Sequence, residues 1–187
     1  MITSPRAFAD YFDGVRRRTM GFFRAIPAER MDWAPKTGEY TCGDIVRHVA
    51  ATERMFTGAV CDGRWVYPGH ERASAPTLEA ALAALESAHA DCSARLRGLG
   101  DGALETTRPA LEPGSAPVRA WRLLLAMSEH EVHHRSQLAS YLTWMGLEAP
   151  DIFGLGVEDV ERLTAATPAG RGRGEPCQGP PLQREQA

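Results

Sequence analysis

Histidines cluster in one short segment of the chain, SEHEVHHRSQ, which covers residues 128–137. The segment lies within a predicted helix, where residues four apart are only about 40° apart around the axis. His130 and His134 therefore share one face, at a spacing from which two imidazoles can bind the same metal ion. Leu123 and Met127 lie on that face too. Both rings should point into the core, where two buried polar groups need partners.

The letters HEVHH also match the HExxH pattern of zinc peptidases. In that class the glutamate faces the metal-bound water and a further ligand follows downstream, for which Glu158 or Glu161 has a plausible spacing. However, Glu131 lies about 100° around the helix from His130, and no strand is predicted that could form a substrate cleft. The peptidase interpretation therefore ranks behind another kind of metal site. A pair of satisfied core histidines is the remaining alternative.

A third imidazole would complete such a site, and the second predicted helix offers His48. It lies near the edge of that helix's apolar face and can reach the pair if the two helices are neighbours. A lone histidine is more often an ordinary core or surface residue. His133 lies about 60° to the other side of His130 and suits the rim of a site. His70, in a loop, and His89, in an Ala-rich helix, have no partner at metal spacing.

The four cysteines form no CxxC pair, which indicates free thiols in a reducing compartment. Cys42 lies six residues before His48, about 9 Å of helical rise, which is too far to close the site. Its position at a helix start could lower its thiol pKa. An exposed residue in a helix cap is the alternative.

Composition narrows the class of protein. The chain has 187 residues, of which 43% are hydrophobic and 24% charged, enough for one globular domain. The net charge is −3 with no basic block, which argues against nucleic acid as the main partner. No segment approaches the ~20 apolar residues of a membrane span, and the N-terminus lacks a signal-peptide pattern. We therefore expect a cytoplasmic protein without a membrane partner.

Five segments have the apolar period of a helix. They cover about residues 4–26, 42–60, 77–99, 116–144 and 157–166. Thr41 and Asp44 predict a capping box at the start of the second helix. No segment alternates as a strand, so the predicted class is all-α: a four-helix bundle with a long crossover loop, residues 61–76, and a short extra C-terminal helix.

The composition changes after Thr167. Residues 167–187 are rich in Gly, Pro and charge and have no apolar period, which predicts a disordered tail. The predicted domain covers residues 1–166.

Two stretches together resemble a known family. ERMDWAPKTGEYTCGDIVRHVAATER, around the second helix, and HEVHHRSQLASYLTWMGLEAP, on the fourth, resemble the DinB-like (DNA-damage-inducible) metal-binding family. That superfamily of helical bundles includes bacillithiol transferases and mycothiol-dependent maleylpyruvate isomerases. The resemblance covers about residues 5–165. It implies that His48, His130 and His134 are metal ligands. Ser136 stands where the family commonly has Gly, on the side of the helix away from His130.

The resemblance also implies a function and an assembly state. It points to a metal-dependent thiol S-transferase that activates a low-molecular-weight thiol for transfer to an electrophile, in stress response or detoxification, or to a thiol-dependent isomerase. Small-molecule thiol and electrophile would be its partners, and a homodimer is expected. A non-catalytic metal-binding stress protein or dimeric scaffold is the alternative, and a metal-dependent hydrolase is the third.

Other parts of the site are predicted from position. Three neutral imidazoles leave a divalent cation at least one open position. Zn, Ni, Fe or Mn all suit such a site, with Zn or Ni favoured. Gln137 and Tyr141, on the ligand face, could bind substrate or could simply pack in the core. The crossover loop could line the mouth of the site or be an ordinary connection. No catalytic residue is assigned.

Overall fold

The structure is a computed structural model that describes residues 2, 4–100, 102–153 and 155–166. The predicted disordered tail, residues 167–187, lies outside the described residues. The chain divides into two compact units, Met1–Phe153 and Gly154–Ala187. The single domain predicted over residues 1–166 stays a prediction.

The first unit is built from four long helices. These are α1 (Pro5–Arg24), α2 (Cys42–Asp62), α3 (Leu78–Arg97) and α4 (Ala120–Trp144). In the part of the chain that the structure describes, three short 3-10 segments, Ala28–Arg30, Arg72–Ser74 and Ala103–Glu105, lie in the connections. The second unit contains α5 (Val157–Ala166), where Asp159 Oδ2 accepts a hydrogen bond from the amide of Gly156 at 3.3 Å. The all-α class is confirmed.

Local signals explain where the helices begin and end. At α2, Thr41 Oγ1 accepts from the amide of Asp44 at 3.0 Å. Asp44 Oδ2 accepts in return from the amide of Thr41 at 3.0 Å, so the predicted capping box is present. The helix ends at Gly63, whose φ of 68° lies in the left-handed region that glycine favours.

The structure corrects the prediction that the chain has no strands. Thr107–Arg108 forms strand β1, and Val118–Arg119 forms the antiparallel strand β2. The predicted start of the fourth helix, at about residue 116, was therefore too early. Residues 118–119 are extended and paired, and the helix begins at Ala120.

Packing in the first unit places the two helices that carry His48 and His130 side by side. The α2 helix packs against α3 and α4, and α1 packs against the same two helices. This arrangement leaves α1 diagonally across the bundle from α2. Because α2 and α4 are direct neighbours, the condition under which His48 could join the pair on α4 is met.

The core consists of two apolar clusters separated by a polar layer. One cluster includes Phe23 and Leu142, and the other includes Phe12 and Leu124. Several buried polar or charged side chains come from the helix turns between the two clusters. They are Arg16 and Thr19 on α1, Thr52, Glu53 and Thr57 on α2, and Ser128, Glu131, His134 and Arg135 on α4. The histidines belong to this layer.

Among the described residues, no helix has the length and apolar character needed to cross a membrane.

Candidate metal centre

Three histidines from two helices meet at the edge of the polar layer. One ring nitrogen from each of His48, His130 and His134 lies within 4.8 Å of the others. His130 Nε2 is 3.1 Å from His48 Nε2 and 3.2 Å from His134 Nε2. His134 is buried, and the other two are half-buried. The structure therefore brings together all three residues predicted as ligands, including the one from the distant helix.

Hydrogen bonds at the other ring nitrogen orient the two histidines of α4. Thr52 Oγ1 donates its proton to backbone carbonyls of α2, at 2.8 and 3.1 Å, so it is an acceptor for Nδ1–H of His130 at 3.3 Å. Gln137 donates its amide N–H to the Tyr141 hydroxyl at 3.1 Å, and its Oε1 accepts from Nδ1–H of His134 at 2.9 Å. Both rings therefore carry their proton on Nδ1.

His48 is oriented by the crossover loop. Its Nδ1 lies 2.9 Å from the Tyr67 hydroxyl, which also makes a short hydrogen bond to His70 Nδ1. When Tyr67 donates to His70, it accepts from Nδ1–H of His48, which leaves His48 Nε2 unprotonated. Tyr67 is 42% exposed, but partial burial still raises its pKa to about 12, so the phenol keeps the proton that it donates.

The consequence is a convergence of lone pairs. Nε2 of His130 and Nε2 of His134 face each other with no proton between them, because each ring's proton is on the opposite nitrogen. His48 adds a third nitrogen at the same point. A cation at this point would be a partner for all three lone pairs at once.

Electrostatics around the centre also favour neutral imidazoles. Burial, followed by the neighbouring histidines, lowers the pKa of His48 to about 3. The same causes lower the pKa of His130 to about 4. Burial also lowers the pKa of His134, although the hydrogen bond to Gln137 opposes this shift. The three rings are therefore neutral at physiological pH, which is the form that binds metal.

The donor set fits a divalent cation. Two nitrogens bound to tetrahedral zinc at ~2.0–2.1 Å are separated by about 3.3–3.4 Å. The two separations that involve His130, 3.1 and 3.2 Å, are close to this value, and all three nitrogens lie within 4.8 Å of one another. All three Nδ1 partners are neutral groups: a phenol, a hydroxyl and an amide. With three neutral ligands, the full charge of a bound cation would remain available to a further, anionic ligand.

The crossover loop is held over the centre by a buried arginine that sequence reasoning missed. Arg47 donates to the backbone carbonyls of His70 and Ala75, both at 3.1 Å, and pairs with Asp44 at 2.6 Å. His70, which has no metal spacing in sequence, thereby reaches a ring-centroid distance of 5.2 Å from His48. No local sequence signal could have predicted this, since the contact depends on the path of an irregular loop.

Aromatic rings surround the histidines. Tyr40 lies 5.3 Å from His48 and 6.4 Å from His134, measured between ring centroids. Phe56 lies 6.2 Å from His130. The crossover loop therefore does reach the mouth of the centre, through Tyr67, and the wall of the site is largely aromatic.

Gln137 and Tyr141, predicted to bind substrate, have another use in the structure. Gln137 orients His134, and Tyr141 accepts a hydrogen bond from Gln137 while only 2% exposed. Contact with substrate by either residue stays a prediction.

Glu131 lies in the core. It is 2% exposed, and its two oxygens accept from Arg16 at 3.2 and 2.6 Å. A peptidase would need this carboxylate directed at the metal site. Glu131 is therefore committed to Arg16 and cannot act as the general base of a zinc peptidase in this geometry.

The remaining histidines and Cys42 have different environments. His133 is exposed at the rim, with its ring 4.9 Å from that of His134. His89 bridges Glu53 and Asp13, at 3.1 and 3.0 Å.

Both interpretations of Cys42 are corrected. It is buried, not exposed, and burial raises its thiol pKa to about 11 where a helix start could have lowered it.

The fold is an all-α bundle, and three imidazoles from two neighbouring helices meet at one point in it. These two features describe a class of helical proteins with a possible metal site. Comparison with protein families identifies the class. The DinB superfamily matches over residues 11–138, and the chain belongs to that superfamily. A comparison with curated proteins gives no match.

A solved structure supports the same fold. The crystal structure of a DinB-like protein from Bacillus subtilis is similar, with a TM-score of 0.61 and 17% sequence identity. The similarity covers 78% of this chain and 97% of that one. At this identity the likeness shows the fold alone. The narrower link to bacillithiol transferases and mycothiol-dependent isomerases stays an expectation of the sequence resemblance.

Proposed function

We propose that this protein is a metal-dependent enzyme that transfers a low-molecular-weight thiol to an electrophile. The observation that carries the proposal is the convergence of one ring nitrogen from each of three histidines within 4.8 Å of one another, with each ring oriented by a neutral hydrogen-bond partner. His48, His130 and His134 would hold the cation. A divalent cation there would act as a Lewis acid that favours the anionic form of a bound thiol.

The chain's own residues would prepare the site for that chemistry. Thr52, Gln137 and Tyr67 fix the ring orientations. The rings of Tyr40 and Phe56 limit access of water to the histidines, since they pack against them. An aromatic wall also suits the apolar part of an electrophile. Among the described residues, the other side chains that lower the pKa values of these three histidines are themselves histidines.

Which metal occupies the site depends on the ions that the cell supplies as much as on the ligands. Three imidazoles suit Zn²⁺ or Ni²⁺ and also accept Fe²⁺ or Mn²⁺. We propose Zn²⁺ or Ni²⁺. Elemental analysis of the purified protein should find about one of these ions per chain.

Once elemental analysis has identified the metal, the activity is tested on protein loaded with that metal. The metal-loaded protein is mixed with a thiol and monochlorobimane, and conjugate formation is followed by fluorescence. We expect conjugation that depends on both thiol and metal and is lost in His130→Ala. The matched control is His133→Ala, which removes an exposed neighbouring imidazole and should keep the activity.

The same assay separates the alternatives. A hydrolase would act on an ester or amide without added thiol. A non-catalytic metal-binding scaffold would bind the ion and show neither activity. A homodimer is proposed as well, and light scattering after size exclusion measures it independently of metal.

A further inference from the structure

One buried arginine contacts all three other long helices of the bundle. Arg16, on α1, is 4% exposed. Its Nε and Nη2 donate to the carboxylate of Glu131 on α4, at 3.2 and 2.6 Å, and Nη2 also donates to Glu53 on α2 at 2.8 Å. Its Nη1 donates to the carbonyl of Leu85 on α3 at 3.1 Å. We call Glu53, Arg16 and Glu131 the Glu–Arg–Glu clamp.

The clamp is closed to solvent, and its charged groups are hydrogen-bonded to protein groups. Both carboxylates are 2% exposed. Burial alone would lower the pKa of Arg16, but the carboxylates raise it above its usual value. The remaining oxygen of Glu53 bonds to His89 at 3.1 Å. The group is thus a fixed, hydrogen-bonded element whose geometry depends on the relative position of three helices.

The clamp lies next to the metal centre along both ligand-bearing helices. Glu131 directly follows the ligand His130. Glu53 directly follows Thr52, which accepts from the ring of that same histidine. A shift or rotation of α2 against α4 that changed the histidine distances would therefore also break the contacts of Arg16.

Buried ion pairs of this kind add little stability compared with apolar side chains of similar size, because removing charges from water is costly. A buried network of this kind can instead favour one alignment of the helices, because a shift would leave hydrogen bonds to charged groups unmade in the core. The planar guanidinium fork is rigid enough for that purpose, whereas an ammonium group is not.

We propose that Arg16 is a positioning residue of the metal centre: by holding Glu53 and Glu131 together, it sets the register of α2 against α4 at which the three histidines bind one ion. The proposal rests on the metal-dependent function proposed above. It assigns the glutamate of the HEVHH segment a role in site geometry and none in proton transfer.

The test replaces the whole clamp, because removing one member leaves buried charges without partners. The variant Arg16→Met/Glu53→Met/Glu131→Met keeps side-chain length and removes all three charges. Its control is Arg24→Met/Glu86→Met, which removes an exposed ion pair between α1 and α3. Zinc affinity is measured by competition with a fluorescent chelator, and the coordination geometry by visible absorption of bound Co²⁺.

We expect the triple variant to keep its helix content and cooperative melting while its zinc affinity falls at least tenfold. Its Co²⁺ spectrum should change, which a purely stabilising role would not produce. The control should match wild type in both. A folded triple variant with wild-type affinity and spectrum would overturn the proposal.

A conservative variant decides the case if the triple variant does not fold. Arg16→Lys keeps a cation between the carboxylates, so we expect it to fold. However, lysine lacks the planar guanidinium that donates to the glutamates of both helices. We expect a three- to tenfold loss of zinc affinity, and wild-type affinity would count against Arg16 as a positioning residue. Failure of the wild-type protein to bind zinc or nickel would instead remove the metal centre itself.

Discussion

Two polar regions occupy neighbouring positions in the same core, yet they differ in how their hydrogen-bond donors and acceptors are paired. In the Glu–Arg–Glu clamp, donors meet acceptors inside the protein: Arg16 donates to both carboxylates, and His89 bonds to the remaining oxygen of Glu53. In the candidate metal centre, Nε2 of His130 and Nε2 of His134 lie 3.2 Å apart, and the other nitrogen of each ring is hydrogen-bonded to Thr52 or Gln137. Glu131 and His130 are adjacent in sequence, so one helical turn serves both regions.

This difference in pairing shows how buried polar groups can be interpreted. A cluster whose donors and acceptors match internally is complete and holds the helices in place. A cluster in which only acceptors converge is incomplete and indicates an external cation. Breaking each region should therefore have different effects: a break in the clamp should disturb helix alignment, and with it both stability and metal affinity, whereas a change among the histidines should act mainly on metal binding.

The largest effect is expected from breaking the clamp at its centre. Arg16→Met leaves two buried carboxylates facing each other, and the free energy of unfolding should fall by about 3–5 kcal/mol. Urea denaturation followed by circular dichroism measures this. Arg24→Met, in an exposed ion pair, should cost no more than ~1 kcal/mol. Equal losses in the two variants would show that the clamp is no more than an ordinary ion pair.

Removing one ligand should leave the metal-free fold largely intact but abolish stoichiometric metal binding. In His130→Ala we expect zinc affinity to fall at least ~100-fold, because two imidazoles remain where three were arranged. The urea midpoint of the metal-free variant should stay close to that of metal-free wild type. The exposed His133 supplies the control, and His133→Ala should bind zinc normally. Retained stoichiometric zinc in His130→Ala would mean that other residues bind the ion.

A smaller effect is expected from the hydrogen bond that orients His48. Tyr67→Phe removes the hydroxyl 2.9 Å from Nδ1 while keeping the ring. Loss of such an orienting group typically costs 10–100-fold in metal affinity, and the exposure of Tyr67 places it near ~10-fold. Chelator competition measures the change, with Tyr11→Phe, an exposed tyrosine elsewhere on the bundle, as the control. An unchanged affinity would show that His48 is held by packing alone.

A last effect, measured as stability and not as metal affinity, concerns pH in the metal-free protein. The folded-state pKa of His48, about 3, lies below the ~6.5 of an unfolded chain, so the unfolded state binds more protons as pH falls. Stability should therefore be fully present above about pH 6.5 and decline towards the folded pKa. His48→Asn should decline less steeply than wild type between pH 7 and 5 in urea titrations with chelator present. Parallel pH profiles would contradict the burial of a neutral ring at this position.

Much of this architecture is encoded locally, and so could be predicted. The apolar period of each helix and the Thr41 cap determine the elements, and the spacing of His130 and His134 places both on one face. His48 could be proposed because the bundle makes α2 and α4 neighbours. The two-residue strands were missed because pairing of Thr107 with Arg119 leaves no pattern in so short a segment.

Other features depend on contacts between residues far apart in sequence. Arg16 and Glu131 are 115 positions apart, and nothing in either segment identifies the partner. Tyr67 and His70 reach the centre only because Arg47 holds the backbone of an irregular loop. Hydrogen-bond partners, which determine the proton positions on the rings, are therefore known only once the fold is.

The most direct test of the central claim is X-ray absorption spectroscopy of the protein loaded with one equivalent of zinc. We predict about three imidazole nitrogens at ~2.0–2.1 Å, with the characteristic outer-shell scattering of histidine rings. A zinc ion bound through sulfur, or one with no imidazole ligands, would contradict the account of His48, His130 and His134 as a single metal centre.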